Sequence, residues 1–261
     1  MIPKIIHYCW FGGNPLSESA LKCIESWKKY CPDYEIKEWN ESNFDVNSCD
    51  YIREAYRAKK WAFVSDYARF KVLYEYGGLY FDTDVELIKS FDDIITHGNF
   101  MGFEKDTVLS VAPGLGLGAT PGLKIYKDLL TAYHTRHFLN SDGTYNQKTV
   151  VDYTTEALKK YGLKNKNEIQ LVAEVYIYPK EYFCPMNYDT GELNITEKTH
   201  SIHHYTATWH NEAENYASKL KQKYIKIFPR KIAVILATAI SKVKYEGLQS
   251  CIKWIFKINK G

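Results

Sequence analysis

The chain has 261 residues, enough for one large domain or for one domain with an appendage. Its composition, 45% hydrophobic and 25% charged, is ordinary for a globular protein. The net charge of +3 divides into +10 over residues 219–261 and −7 over residues 1–218. An acidic body argues against a nucleic-acid footprint on the main domain, and the basic segment predicts an anionic surface as its partner.

Hydrophobic periodicity alternates between strand and helix patterns through the first two thirds of the chain. Strands alternating with helices predict an α/β sheet covered on both faces. The strands are predicted at residues 3–10, 34–39, 79–82, 100–103, 108–111, 169–172 and 175–178. The helices are predicted at residues 17–29, with Ser17 as the N-cap, at 51–76 with a break near 59–60, at 121–135 and at 148–161.

The six cysteines form no CxxC pair, and their spacings match no zinc site. Met1 leads directly into a strand-like segment without a secretory signal. We therefore expect reduced thiols in a cytosolic protein.

Glycine stands at alternate positions in Gly114, Gly116 and Gly118. This pattern allows close backbone approach or a bend. It is not a dinucleotide-binding fingerprint, because the GxGxxG spacing is absent.

Two carboxylates, Asp82 and Asp84, follow the strand that begins after Gly77 and Gly78 in the segment GGLYFDTDVE. Strand residues i and i+2 share one face, and open α/β sheets bind ligands in the crevice at the carboxyl ends of their strands. Two hard oxygen ligands suit Mg²⁺ or Mn²⁺, which in turn binds a diphosphate. The alternative is a solvated turn in which both carboxylates act as caps.

The preceding helix carries Asp66 and Arg69, which project from one side because they are three residues apart. The helix ends just before the strand, so the pair could flank Asp82 and Asp84. A carboxylate can accept hydrogen bonds from sugar hydroxyls, and a guanidinium can donate to hydroxyls or phosphate oxygens. The alternative is an ordinary surface ion pair.

A third element is the segment SIHHYTATW at residues 201–209. A neutral imidazole beside acidic oxygens could complete a metal shell, and the Trp209 indole N–H could donate to a phosphate oxygen. For either histidine the alternative is a structural or surface role.

The arrangement SDYARFKVLYEYGGLYFDTD at residues 65–84 resembles the DXD-motif sugar transferases of glycosyltransferase family 32. That family includes Och1-like mannosyltransferases and bacterial capsular-polysaccharide transferases, and the glucosylating domain of large clostridial toxins is more distantly similar. IPKIIHYCWFGG resembles the first strand of the family, and SIHHYTATW resembles its C-terminal motif. The resemblance spans residues 2–210 and implies a GT-A fold, a nucleotide-binding, Rossmann-like mixed sheet flanked by helices, with a metal at the DXD.

The resemblance also implies roles on the donor side of the site. Trp10 would stack on the nucleotide base. Asp66 and Arg69 would hold the ribose and the donor sugar. Tyr80 would line the donor site.

On the metal side, the resemblance implies that Asp82 and Asp84 bind Mn²⁺ or Mg²⁺ and the diphosphate. His204 would touch the metal, and Trp209 would contact the leaving diphosphate. Thr208 stands where the family pattern usually has serine. Asp84, Asp82 and, from the helix, Arg69 are the expected catalytic residues.

The implied reaction is metal-dependent transfer of a sugar with retained anomeric configuration. We expect a UDP-sugar donor and a lipid-linked oligosaccharide acceptor in capsular or exopolysaccharide synthesis by a bacterial enzyme. Two alternatives stay open. One is a phosphotransferase, because the segment DTDV also fits a DxDx[TV] signature. The other is a non-catalytic nucleotide-sugar-binding assembly protein.

The C-terminal segment predicts a basic amphipathic helical tail over residues 216–261, following a transferase domain over residues 1–215. The apolar run at residues 232–240 is too short to span a bilayer. Apolar Leu248, Ile252, Ile255 and Ile258 share one helical face, with lysines mostly opposite, which suits a helix lying on an anionic membrane through residues 219–261. We expect a cytoplasmic protein, peripheral on the inner face of the plasma membrane. The alternative is a helical cap packed on the main domain.

Overall fold

The computed structural model describes residues 1–105, 109–206 and 212–258, without the side chains of residues 257 and 258. It contains two compact units. The first comprises residues 1–185 and 194–204, and the second comprises residues 186–193 and 205–261. The domain boundary expected between residues 215 and 216 remains a prediction.

The first unit is built on a seven-stranded mixed sheet in the order β2-β1-β3-β6-β5-β8-β7, beside a two-stranded sheet of β4 and β9. The parallel pairs are β1 with β2, β1 with β3 and β5 with β8, and the other pairs are antiparallel. The sheet and its flanking helices confirm the predicted fold class. The strands are β1 Ile5–Cys9, β2 Glu35–Trp39, β3 Gly78–Tyr80, β4 Val85–Leu87, β5 Phe100–Gly102, β6 Leu117–Ala119, β7 Gln170–Val172, β8 Val175–Tyr178 and β9 Ser201–His203.

The four predicted helical segments are present with ends within three residues of the prediction, whereas the short helices at residues 92–97 and 180–183 were not predicted. Ser17 caps α1, as expected, by accepting a hydrogen bond from the backbone N–H of Ala20. The predicted break near residues 59–60 separates α2 from α3, and Lys59 has a left-handed φ of 56° there. The helices are α1 Glu18–Tyr30, α2 Asp50–Arg57, α3 Trp61–Tyr76, α4 Asp92–His97, α5 Lys124–Tyr133, α6 Val150–Lys160 and α7 Lys180–Phe183.

The strand predicted at residues 108–111 is wrong for the residues that the structure describes there, 109–111. Val111 makes only an isolated bridge to Phe103. Ala112 N–H donates to the Gly102 carbonyl at 3.0 Å, and the chain then enters the 3₁₀ turn Pro113–Leu115. The pairing with the end of β5 therefore stops after one bridge and is too short for a strand.

The alternating glycines allow the close approach expected of them. A Cβ atom on Gly114 would lie 2.2 Å from Asp82 Oδ2, and one on Gly118 would lie 2.2 Å from Phe100 Cε1. Gly116 has φ +143°, and a Cβ there would lie 2.9 Å from Phe81 Cε1. The segment from Gly114 to Gly118 therefore runs against the Asp82 carboxylate and two core aromatic rings.

A buried histidine ties the first two strands to the end of α3. Trp39 Nε1–H donates to His7 Nδ1 at 3.0 Å, so His7 Nε2–H must be the donor to the Gly77 carbonyl at 2.9 Å. Burial lowers the pKa of His7 to about 4. The neutral imidazole therefore stabilises the turn at Gly77 that leads into β3. Asp82 follows directly after that strand.

The second unit contains α8 Glu212–Tyr224, α9 Arg230–Glu246 and α10 Leu248–Ile258. Along α9 the small residues Ala233, Ala237 and Ser241 are buried at four-residue spacing, and Ser241 Oγ donates to the Ala213 carbonyl of α8 at 2.6 Å. Small side chains at this spacing let two helices pack closely. Of the helices described, none has the length and apolarity needed to cross a bilayer.

Candidate functional site

The site lies where the chain leaves β3, at the end of α3 and close to the bend at Gly114. Helix α3 packs against β1 and β3. Its residues Asp66 and Arg69 are one turn apart and face the Asp82 carboxylate just beyond β3. The structure therefore brings together three of the predicted site residues.

Arg69 is the buried centre of this group. Its Nη2 lies 2.9 Å from Asp66 Oδ1 and 3.3 Å from Asp82 Oδ1, while Nε–H donates to the Ser65 carbonyl at 3.2 Å. Burial opposes the charged form, but the two carboxylates outweigh it and raise the pKa of Arg69. The Arg69 guanidinium is thus the cationic partner of both carboxylates. The pair is not the surface ion pair that was the alternative.

Tyr80 also holds the Asp82 carboxylate, at the same oxygen as Arg69 Nη2. Its hydroxyl donates to Asp82 Oδ1 at 2.9 Å, and the Arg69 guanidinium carbon lies 5.0 Å from its ring centroid. The backbone N–H of Asp82 donates to the Gly114 carbonyl at 3.3 Å. Asp82 is therefore positioned by three contacts, and its side chain is still 29% exposed.

Asp66 has an unusual titration. Burial raises the pKa of this carboxyl to about 7, with the Asp82 charge acting in the same direction and the Arg69 charge opposing it. Asp66 therefore changes charge near neutral pH. A carboxyl in this state can accept a hydrogen bond from a hydroxyl or donate one.

The short sheet of β4 and β9 brings the C-terminal motif to the second carboxylate. Its register sets His203 opposite Val85, the residue after Asp84. His203 Nε2 lies 3.2 Å from Asp84 Oδ1, and the Asp84 side chain is only 15% exposed. Burial would lower the pKa of His203, but the Asp84 carboxylate overcomes this effect and raises it.

Asp82, Asp84 and His203 form a cluster with the composition of a cation site. One ligand atom from each lies within 4.8 Å of the other two. Two carboxylates and an imidazole suit Mn²⁺, and the carboxylates alone suit Mg²⁺. The residues present therefore fit a divalent cation.

The histidine of this cluster is His203, whereas the sequence prediction placed His204 there. His204 Nε2 instead pairs with Glu86 Oε2 at 2.8 Å. Successive side chains at a strand end point to opposite faces, so the register between β4 and β9 decides which of two adjacent histidines meets Asp84. Sequence reasoning could not supply that register.

The remaining predicted residues are not joined to this cluster in the part of the chain that is described. Trp10 follows β1 directly and is half-buried, and its indole N–H donates to the Asn14 carbonyl at 2.6 Å. Thr208 and Trp209 lie outside the described residues. Gly114 is a site residue that sequence reasoning did not assign, although the alternating glycines were the available signal.

Comparison with known proteins agrees with the motifs. Residues 17–101 match the family model described as a glycosyltransferase sugar-binding region containing a DXD motif. An uncharacterised glycosyltransferase, L373, of Acanthamoeba polyphaga mimivirus is 23% identical over 198 residues, which cover 72% of this chain and 77% of that protein. Inositol phosphoceramide mannosyltransferase 3 of Schizosaccharomyces pombe is 30% identical over 121 residues, which cover 40% of this chain and 34% of that protein.

Two solved structures are similar at low sequence identity. The PaToxG glycosyltransferase aligns with a TM-score of 0.47 and 21% identity, over 61% of this chain and 69% of that one. A glycosyltransferase involved in glycosylation of the major capsid of PBCV-1 aligns with a TM-score of 0.45 and 14% identity, over 86% of this chain and all of that one.

The motif match and the two relatives define the class of protein: the chain is a glycosyltransferase. More particularly, it carries the DXD sugar-binding region, and the resemblance read from residues 65–84 to the DXD-motif transferases is confirmed.

Proposed function

We propose that this glycosyltransferase moves a sugar from a nucleotide-sugar donor in a reaction that depends on Mn²⁺ or Mg²⁺. The observation that carries the proposal is the convergence of Asp82, Asp84 and His203 to within 4.8 Å. Two anionic side chains held this close, with one of them also fixed by Arg69, favour a cation between them. When bound, the cation would supply positive charge against the departing diphosphate, which is usually the largest catalytic contribution.

The protein's own residues would orient the donor around that charge. Arg69 and Tyr80 hold the Asp82 carboxylate in one place, so that the site needs little reorganisation when a donor binds. Asp66, buried beside them, would accept a hydrogen bond from a hydroxyl of the ribose or the donor sugar. Trp10 would stack on the base, and Trp209 would donate to the diphosphate. Retention of anomeric configuration follows from the family resemblance.

The test begins with donor binding and hydrolysis by the full chain. UDP-glucose, UDP-galactose, UDP-N-acetylglucosamine and GDP-mannose are each titrated with Mn²⁺ and with EDTA, and release of free nucleoside diphosphate is measured for any that bind. We expect a UDP-sugar to bind and to be hydrolysed only with the metal. GDP-mannose is included because one relative is named as a mannosyltransferase. If GDP-mannose is the donor, the nucleotide of the proposed donor changes from UDP to GDP. Binding without hydrolysis or transfer would support the assembly-protein alternative.

Matched variants test the cluster itself. Asp84→Asn preserves shape and removes a ligand charge, so hydrolysis should fall on the order of a hundredfold or more. Glu86→Gln, two residues further on, should change it little. His203→Gln should raise the Mn²⁺ concentration needed for hydrolysis, and His204→Gln should not. The opposite order for the two histidines would restore His204 as the metal ligand.

We also infer that the second unit binds an anionic membrane. Leu248 and Phe256 of α10 are 63% and 66% exposed, and five aliphatic side chains of α9 are exposed as well. Residues 219–261 carry a charge of +10. Exposed apolar area together with lysines is the pattern of a helix that lies in a lipid headgroup region.

Membrane binding would bring the site to a lipid-linked oligosaccharide, the acceptor we propose, on the inner face of the plasma membrane during capsular or exopolysaccharide synthesis. The test is co-sedimentation of the full chain with phosphatidylglycerol or phosphatidylcholine vesicles. We expect binding to the anionic vesicles alone, lost at high salt and in Leu248→Glu/Phe256→Glu. Leu171→Glu, on the equally exposed edge strand β7, is the control. Equal sedimentation of all three proteins would reject the inference.

A further inference from the structure

The two carboxylates of the cation cluster lie on one tight turn. The Val85 N–H donates to the Asp82 carbonyl at 3.0 Å, which closes a β-turn over residues 82–85. Asp82 is the first residue of this turn and Asp84 is the third. The spacing between the two carboxylates therefore depends on how both ends of the turn are held. The contacts described above fix the end at Asp82, and the other end leads into β4.

Strand β4 pairs with β9 along one edge only. On that edge the Asp84 carbonyl accepts a hydrogen bond from the His204 N–H at 2.9 Å. Because successive residues of an antiparallel strand direct their backbone groups to alternate edges, those of Val85 and Leu87 point away from β9. Both residues are buried, so these backbone groups need partners within the protein.

Helix α1 supplies those partners from two adjacent side chains. Trp27 Nε1–H donates to the Val85 carbonyl at 2.8 Å, and the Leu87 N–H donates to Ser26 Oγ at 2.9 Å. The helix thereby takes the place of a third strand beside β4. Its hydrogen bonds fix the strand that carries the turn on one side and β9, with His203, on the other.

Trp27 also packs on the residue that precedes the turn. Its side chain is fully buried, and its ring centroid lies 5.7 Å from that of Phe81. We propose that Trp27 is a positioning residue for the cation site. Its ring against Phe81 and its N–H on the Val85 carbonyl hold the two flanks of the turn, and so set the spacing of the Asp82 and Asp84 carboxylates. This inference rests on the proposed function, because it concerns the cation that the proposed reaction requires.

Loss of this support should weaken cation binding. Residues that orient metal ligands without binding the metal commonly contribute about tenfold to a hundredfold to metal affinity. Trp27 acts through the backbone beside a ligand, so we expect the lower end of that range. Trp27→Phe should raise the Kd for Mn²⁺ roughly tenfold.

Trp39→Phe is the matched control. Trp39 is also buried, but its indole N–H donates to His7 Nδ1 and not to a residue beside the turn. Each variant loses one indole hydrogen bond and the same ring volume from the core, so both should lower the urea midpoint of unfolding. Trp39→Phe should nevertheless leave the Kd for Mn²⁺ unchanged.

A second replacement separates the hydrogen bond from the packing and keeps the test decisive if Trp27→Phe does not fold. Benzothienylalanine at position 27 keeps a bicyclic ring of the same shape against Phe81 and has sulfur where the indole has N–H. Only the hydrogen bond to Val85 is then lost. This variant should raise the Kd for Mn²⁺ about fivefold or more, with a urea midpoint closer to that of the wild type.

The experiment is titration of Mn²⁺ into the full chain of the wild type and the three variants, followed by paramagnetic resonance, with a urea midpoint measured for each protein. Mn²⁺ affinity equal to that of the wild type in the benzothienylalanine variant, or an equal loss in Trp39→Phe and Trp27→Phe, would overturn the inference and leave the proposed function standing. Failure of the wild type to bind Mn²⁺ would overturn both.

Discussion

Replacement of Arg69 by methionine is the most demanding test of the buried charge arrangement. Arg69 is almost fully buried and is the cationic partner of both Asp66 and Asp82. Removing one partner of a buried ion pair typically costs 3–5 kcal/mol, because the charge left behind is uncompensated. Asp82 retains contact with water, so the loss arises mainly from Asp66. We therefore expect Arg69→Met to lower the free energy of unfolding by about 3 kcal/mol at pH 7.5.

The assay is urea unfolding followed by circular dichroism at pH 7.5 and pH 5. The matched control is Arg53→Met, because Arg53 pairs with Asp50 at the same three-residue spacing, but with side chains that are 35% and 47% exposed, and its loss should cost less than about 1 kcal/mol. In Arg69→Met, the pKa of Asp66 loses its one opposing charge and rises further. Protonation then favours the folded state, so the penalty should shrink as the pH falls from 7.5 to 5. A loss no larger than that of Arg53→Met, or a penalty independent of pH, would contradict the role of Arg69 as the counter-charge of the buried Asp66.

The other predictions concern the turn around the site, a buried histidine and a helix cap. Gly114→Ala should displace the Asp82 carboxylate, because the new Cβ would lie 2.2 Å from Oδ2. Donor hydrolysis should fall about tenfold or more, while the urea midpoint of unfolding stays near that of the wild type. His7 has a folded-state pKa of about 4, below the ordinary 6.5, so its contribution to stability should fall by up to about 3 kcal/mol as the pH falls from 6.5 to 4. This contribution is measured as the difference between the wild type and His7→Gln in urea midpoints across that range, and a difference that does not change with pH would contradict it. Thr149→Ala removes the capping box of α6 and should cost about 1 kcal/mol of unfolding free energy at neutral pH, and an unchanged midpoint would contradict the cap assignment.

The sequence predicted most of the first unit because its local signals are strong. The cap at Ser17 and the interruption near Lys59 each appear where expected. The strand predicted at residues 108–111 was wrong over the described residues 109–111, because the pairing with the end of β5 stops after one bridge, where the chain turns at Pro113. Pairing is a property of the whole sheet, so this error could not be found from the segment alone.

The candidate site shows the same contrast between residues that local spacing could group and residues that only long-range strand pairing brings together. Asp66, Arg69 and Asp82 could be grouped from spacing along one helix and the strand after it, and they do meet. His203 could not be distinguished from His204, because the pairing of β9 with β4 joins residues more than a hundred positions apart.

Cation binding by Asp82 and Asp84 is the central claim of the proposed function. The direct measurement is the paramagnetic resonance spectrum of Mn²⁺ titrated into the full chain, with and without UDP or GDP, for the wild type and Asp84→Asn. We predict one bound Mn²⁺ per chain in the wild type, held more tightly when the nucleoside diphosphate is present, and little bound Mn²⁺ in the variant. Equal Mn²⁺ binding by both proteins, or a nucleoside diphosphate affinity that is the same with Mn²⁺ and with EDTA, would contradict it.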